Sequence, residues 1–215
     1  MTRPGARRRI DVGARYRREM PEELAGLMRA LGAARDPADQ GRLMDEIETI
    51  IMTDPEGSRA TVLASQGDER LRLRALGEVG DPADFGLITA ALGDPALRCA
   101  ALEALAGQPD ADGADALARS YLDDPTPDVR SRAAGLVAFH GRPNAVEALL
   151  PLTRDPVAHV RMKLAWDLGA LGGPAVEAAL HRLLDDPDEM VRKSAARGLT
   201  RKVRHLPHAD IRAGH

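Results

Sequence analysis

Residues 124–200 carry one phrase in three near copies: DPTPDVRSRAAGLV from Asp124, DPVAHVRMKLAWDL from Asp155 and DPDEMVRKSAARGL from Asp186. The Asp-Pro pairs stand 31 residues apart each time. Self-similarity at such a period marks units of two helices. None can bury its apolar face alone, so neighbours stack and share a continuous core. Aligning the copies on the arginine of each Val-Arg pair separates packing from variation. Positions one before, three and four after, and seven after that arginine hold Val129, Ala133, Ala134 and Val137 in the first copy. They hold Val160, Leu164, Ala165 and Leu168 in the second, and Val191, Ala195, Ala196 and Leu199 in the third. These offsets trace one helical face, and we expect them in the core.

The register extends upstream through Leu97-Arg98, followed by Ala101, Leu102 and Leu105, and through Leu71-Arg72, followed by Ala75, Leu76 and Val79. Second helices are expected from Pro82 to Leu92, Gly113 to Leu122, Pro143 to Leu152 and Pro174 to Leu184, with Pro and Gly punctuating short links. Before the register begins, Pro21-Glu22-Glu23 reads as a helix opening that leads into Leu24, Leu27, Met28 and Leu31. Gln40 to Met52 carries the stripe Leu43, Met44, Ile47, Ile50 and Ile51, and Asp54-Pro55 opens a third helix. The expected organisation is a basic arm without a fold at 1–19, a helical cap at 20–65, repeats at 66–200 and a basic tail at 201–215.

Only 2% of the residues are aromatic, so Ala, Leu and Val must close the core between helices packed at short distance. A single cysteine, Cys99, excludes an internal disulfide framework and suits a reducing compartment. No apolar run approaches the length of a membrane span, and Arg7, Arg8 and Arg9 are not followed by the apolar stretch of a secretory signal. We expect a cytoplasmic protein. The formal charge of −3 hides segregation, since residues 1–18 carry seven Arg against one Asp and residues 191–215 carry seven Lys or Arg against one Asp. The acidic middle should repel nucleic acid, leaving only the basic termini to attract it.

The pattern Asp-Pro, three residues, Val-Arg, two residues, two small residues and then Leu or Val resembles the HEAT repeat. The 31-residue period is similar to the short HEAT-like form named after the phycobilisome lyases. The resemblance covers about residues 67–200 and implies an all-α, right-handed α-solenoid of two-helix repeats. It also implies a hydrogen-bonded ladder between repeats, a role that would fall to Asp124, Asp155 and Asp186 with Arg130, Arg161 and Arg192. In solenoids of this family the Val-Arg helix looks like the inner one, so its variable offsets would line a groove that holds partners.

Those offsets bring forward Trp166, the single Trp, with Met162 and Lys163 on the same helix and Arg132, Arg197 and Lys193 in flanking copies. An exposed Trp beside Met and Arg has the composition of an interface hot spot. The other reading places Trp166 over the Ala-rich positions as a large core filler. We expect the groove. Chemistry for catalysis is thin: no H-E-x-x-H, no paired Cys, no Gly-rich phosphate loop, and none of the His-Glu pairs of HEAT-like iron hydroxylases. His205 and His208 could touch one metal but have no third ligand nearby. No cofactor and no metal are expected.

The function expected is a non-catalytic scaffold or adaptor that binds another protein or peptide in the Val-Arg groove. The alternative is a HEAT-like enzyme. A DNA-binding alkylpurine glycosylase would cast Trp166, Asp167 and Arg197 at a lesion, although adjacent Trp166 and Asp167 point about 100° apart on a helix. A lyase-like accessory to protein modification would need an apolar pocket near Trp166 and Met162.

Overall fold

A computed structural model describes residues 12–65 and 68–201. It is helical, with no strand among the described residues, and its contacts divide the chain between Asp81 and Pro82. Of the expected tail at 201–215, residues 202–215, with His205 and His208, lie outside the described residues, as do residues 1–11 of the basic arm.

The first unit holds α1 (Val12–Ala33), α2 (Pro37–Thr53), α3 (Pro55–Ala64) and α4 (Glu69–Val79). Asp36 and Asp54 cap α2 and α3 by accepting backbone amides of the first turn, and Pro37 and Pro55 sit where a helix has no use for their missing N–H. Met44, Ile47, Ile50 and Ile51 of α2 are buried, as are Leu24, Met28 and Leu31 of α1. Helix α1 does not open at Pro21 but runs through it from Val12. Proline withdraws one backbone donor without preventing the turns on either side from forming. Helix α4, which carries Leu71-Arg72, packs against α2 and α3. Its apolar face is rotated from the repeat register: Leu73 is fully buried, while Leu71 and Val79 are half-buried. Arg72 pairs with Glu69 on its own helix instead of reaching a turn of another repeat.

The second unit is an α-solenoid of helix pairs. Its elements are α5 (Phe85–Ala91), α6 (Arg98–Leu105), α7 (Ala111–Arg119), α8 (Pro127–His140), α9 (Ala145–Leu149), α10 (Ala158–Leu171), α11 (Pro174–Leu183) and α12 (Glu189–Thr200). The Val-Arg and Leu-Arg helices α6, α8, α10 and α12 stack directly on one another, and α7 and α11 lie against α8 and α12. Val129, Ala133, Ala134 and Val137 of α8 and Val160, Leu164, Ala165 and Leu168 of α10 are all buried, so the shared offsets are the core. On α12 the same offsets behave differently. Ala196 is exposed and Leu199 half-buried, because no described helix covers that side. Helix α9 is shorter than the expected Pro143–Leu152 segment: Pro151 lacks the donor for another α turn, and the chain continues as a 3-10 turn over Leu150–Arg154.

Small residues set the distance between α10 and α12. A Cβ on Gly169 would lie 2.5 Å from the Gly198 carbonyl oxygen, and one on Gly198 would lie 2.6 Å from that of Ala165. The two backbones therefore touch, and Ser194 Oγ donates across them to the Met162 carbonyl at 2.6 Å.

The Asp-Pro turns are tied by arginines. Arg130 Nε and Nη2 donate to both oxygens of Asp155 at 2.7 and 2.9 Å, and Arg130 Nη1 donates to the Asp124 carbonyl at 2.8 Å. Arg161 repeats this one unit on: both oxygens of Asp186 at 2.8 Å and the Asp155 carbonyl at 2.6 Å. Arg98 makes a simpler rung, with Nη1 to Asp124 Oδ2 at 3.0 Å and Nε to the Leu92 carbonyl at 3.1 Å. Each Asp also accepts the amide two residues on, from Thr126, Val157 and Asp188 respectively. At Asp155, burial pushes the carboxyl pKa up, but the hydrogen bonds from Arg130 and the Val157 amide outweigh it and hold the value below the ordinary carboxylate range. At Asp186 the Arg161 hydrogen bond dominates, with the same net direction.

Two outcomes are expected. Gly198→Ala forces α10 and α12 apart and lowers stability by about 1–3 kcal/mol in urea unfolding. Gly41→Ala, where an added Cβ meets nothing within 4 Å, leaves stability level or raises it by up to ~1 kcal/mol. The ladder gives the second. Carboxylates with depressed folded pKa values contribute stability that is complete above the ordinary carboxylate range and lost as pH falls through and below it. Thermal unfolding of the wild type should therefore drop steeply below about pH 5. In Asp155→Asn the drop is shallower, while Arg130→Met, which leaves Asp155 buried without its partner, costs about 3–5 kcal/mol at neutral pH.

Candidate functional site

Where α6, α8 and α10 lie side by side, their exposed edges enclose a groove of about 300 Å³. Leu102 comes from α6 and Ala106 from the position just after it, Leu136, Ala138 and Phe139 from α8, and Ala170 from α10. The stripe reads off the repeat register: residues two, six and nine positions after the repeat arginine give Arg132, Leu136 and Phe139 on α8, and Lys163, Asp167 and Ala170 on α10. Steps of four and three keep them on one face, where Arg132 and Phe139 are exposed, Lys163 and Asp167 half-buried, and Leu136 and Ala170 buried.

Two ion pairs line the groove. Arg132 reaches Glu103 on α6 at 2.8 Å, and Lys163 Nζ lies 2.9 Å from both oxygens of Asp167. Phe139 stands at one edge, 49% exposed. Arg201, which also lines the groove, lies over the Trp166 ring at 4.2 Å from its centroid and donates Nη1 to the Trp166 carbonyl at 2.8 Å. Trp166 itself is 40% exposed, its ring forming a stacking platform for the guanidinium. Among the described residues Arg201 has no carboxylate partner. Larger depressions exist, but their chemistry is poorer. One of about 610 Å³ lies over Arg130 and Asp155, which are committed to each other, and one of about 590 Å³ is lined chiefly by small residues such as Ala25, Ala60 and Ala64.

The structure thus brings Arg132 and Lys163 together in the groove and sets Trp166 beside it under Arg201. Met162 is half-buried, with its carbonyl occupied by Ser194. Lys193 pairs with Glu189 along α12, and Arg197 is exposed on the same helix; neither lines the groove. Phe139, Asp167 and Arg201 are groove residues that the variable offsets one, two and five after the arginine did not include. The readable signal was the continuation of the stripe to the ninth position, where Phe139 and Arg201 are equivalent. The ladder residues Asp124, Arg130, Asp155, Arg161 and Asp186 hold one another, and Arg192 donates Nη1 to the carbonyls of Asp186 and Pro187 at 2.7 and 3.0 Å.

For covalent chemistry the site offers little. Burial disfavours the thiolate of half-buried Cys99 and pushes its pKa up, outweighing the lowering effect of the Arg132 cation. His140 is pulled down by burial, and His159 lies 3.0 Å from Asp128 at the surface. Among the described residues no three His, Cys, Asp or Glu side chains converge as metal ligands, and no helix is long and apolar enough to cross a membrane.

Residues 114–200 match the family model for HEAT repeats. No curated protein sequence matches the chain. Among solved structures, human deoxyhypusine hydroxylase in complex with glycerol superposes with a TM-score of 0.42 at 14% identity, over 88% of this chain and 98% of that one. A likeness of that degree carries no argument about activity.

Because Trp166 is the single Trp, intrinsic fluorescence reports on this site alone. Arg201→Gln removes the stacked cation and should shift the emission of Trp166 with unchanged helical circular dichroism. Trp166→Ala should cost under about 1–2 kcal/mol, well short of the 3–5 kcal/mol of a buried aromatic.

Proposed function

We propose that the protein, whose residues 114–200 match the family model for HEAT repeats, is a non-catalytic scaffold whose groove on α6, α8 and α10 holds a segment of another protein. One observation carries this reading: two of the few aromatic side chains, Phe139 and Trp166, stand exposed at a groove whose floor is apolar and whose sides are charged. Large apolar side chains cost free energy in water, and aromatic residues ringed by charged groups are the pattern of interface anchors. The groove's own ion pairs are already satisfied, so they shape the rim and contribute selectivity more than affinity. The apolar floor between Leu102, Leu136 and Phe139 suits an aliphatic or aromatic anchor of the partner, and the Arg201 guanidinium suits an acidic group beside it.

The test is affinity capture from the source cell with the immobilised chain, comparing wild type with Phe139→Glu and Trp166→Ala. Proteins retained by the wild type should be lost or weakened at least tenfold by either variant, with helical content and unfolding temperature nearly unchanged. Equal retention by folded variants would remove the groove from the account.

A further inference from the structure

Of the four arginines at the rung position of the second unit, three are paired on both sides. Arg98, Arg130 and Arg161 each donate to the carbonyl six residues upstream and to a carboxylate 25 or 26 residues downstream. Arg192 makes the first contact, through Nη1 to the Asp186 carbonyl at 2.7 Å, and not the second. Its Nε and Nη2 have no acceptor among the described residues. The filled rungs define what the open one takes. Asp155 and Asp186 each offer both carboxylate oxygens to one edge of a guanidinium, from a turn whose own amide two residues on donates to the same carboxylate. A half-buried arginine already held by its other edge is preorganised for such an acceptor.

The helix that carries this fork also has an outer face unlike that of its neighbour. Helix α12 meets α10 along Met162, Ala165, Trp166 and Gly169. The Met162 and Trp166 carbonyls accept from Ser194 and Arg201, and Gly198 lies against the Ala165 carbonyl and Gly169. The same register positions of α12, 31 residues on, are Lys193, Ala196, Arg197 and Thr200, and all four are exposed. Two apolar positions have become cationic, with small residues between them. Over residues 189–201 the one carboxylate, Glu189, is paired with Lys193, against the four cations Arg192, Lys193, Arg197 and Arg201. Solubility asks only for mixed charge. A surface of one sign repels a second copy of itself and selects an anionic partner.

We propose that the outer face of α12 docks a partner protein that presents an aspartate turn. Its carboxylate enters the Arg192 fork, Arg197 and Lys193 draw in its acidic surroundings, and Ala196 and Thr200 allow its backbone to come close. The partner thereby completes in trans the rung that Arg130 and Arg161 complete within the chain. None of these α12 residues lines the groove on α6, α8 and α10, so the two surfaces are tested separately.

The test is NMR of the arginine Nε–H resonances in the full chain, with the acetylated, amidated pentapeptide of residues 184–188, Leu-Asp-Asp-Pro-Asp, as the probe. Arg130 and Arg161, whose forks are filled, are internal references. In the free chain the Arg192 Nε–H should resonate apart from theirs. Millimolar pentapeptide should move it toward them and leave them in place, and Asp186→Asn in the peptide should weaken the response about tenfold or more. Arg192→Lys keeps the charge but not the two-nitrogen edge. It should weaken the peptide-induced shifts of the Lys193 and Arg197 amides by a similar factor, with helical circular dichroism unchanged. Three results overturn the proposal. One is an Arg192 resonance that already coincides with the references at every protein concentration, since the chain then fills its own fork. Another is a resonance that moves with protein concentration, which makes a second copy the occupant. The third is an equal or absent response to the pentapeptide and its Asn form, which makes the face a solvated cap.

Discussion

The arginine that joins the carbonyl of its own turn to the carboxylate of the next turn is the contact on which the second unit depends. It satisfies two kinds of buried acceptor at once: a backbone oxygen that the turn leaves unpaired, and an aspartate of which one oxygen also accepts a backbone amide. A buried ion pair of this kind adds little net stability over an apolar substitute, because desolvation offsets attraction. Its effect is geometric. A bidentate guanidinium tolerates little rotation, so each rung fixes where the next helix pair begins, and the 31-residue spacing is the sequence image of that constraint.

Once the turns are pinned, the helices between them approach as closely as their side chains allow. With few aromatic residues to fill space, the limit is set by Ala and Gly, and at Gly169 and Gly198 the backbones themselves meet. Tight stacking on the core face brings the opposite edges of α6, α8 and α10 close enough for Arg132 to reach Glu103 and for one groove to run across three helices. The groove is therefore a by-product of the packing, and its character comes from side chains that the packing leaves free to vary.

Much of this was legible in the residues. Val160, Leu164, Ala165 and Leu168 announced a core face by their spacing, and they are buried. The dipeptide Asp-Pro was less informative, because it serves two purposes. At Asp36 and Asp54 the carboxylate caps its own helix, while at Asp155 and Asp186 it is gripped by an arginine 25 residues earlier. Nothing local separates the two uses; they differ in whether a preceding repeat places a guanidinium within reach. The rotated face of α4 was hidden for a related reason. Leu71 and Leu73 are equally apolar, and which of them is buried depends on the helices that α4 meets, which are α2 and α3.

By itself, then, the sequence determined the period, the helix pairs and the core offsets, because each follows from spacing along one chain and from the turn chemistry of Pro, Gly and Asp. The tertiary structure alone decided which of the variable positions converge. Phe139 on α8, Asp167 on α10 and Arg201 after α12 share a groove, whereas Lys193 and Arg197 do not line it. That outcome depends on the rotation and separation of neighbouring helices, which are set by backbone contact between small residues and by the arginine rungs, and neither is a property of any one repeat.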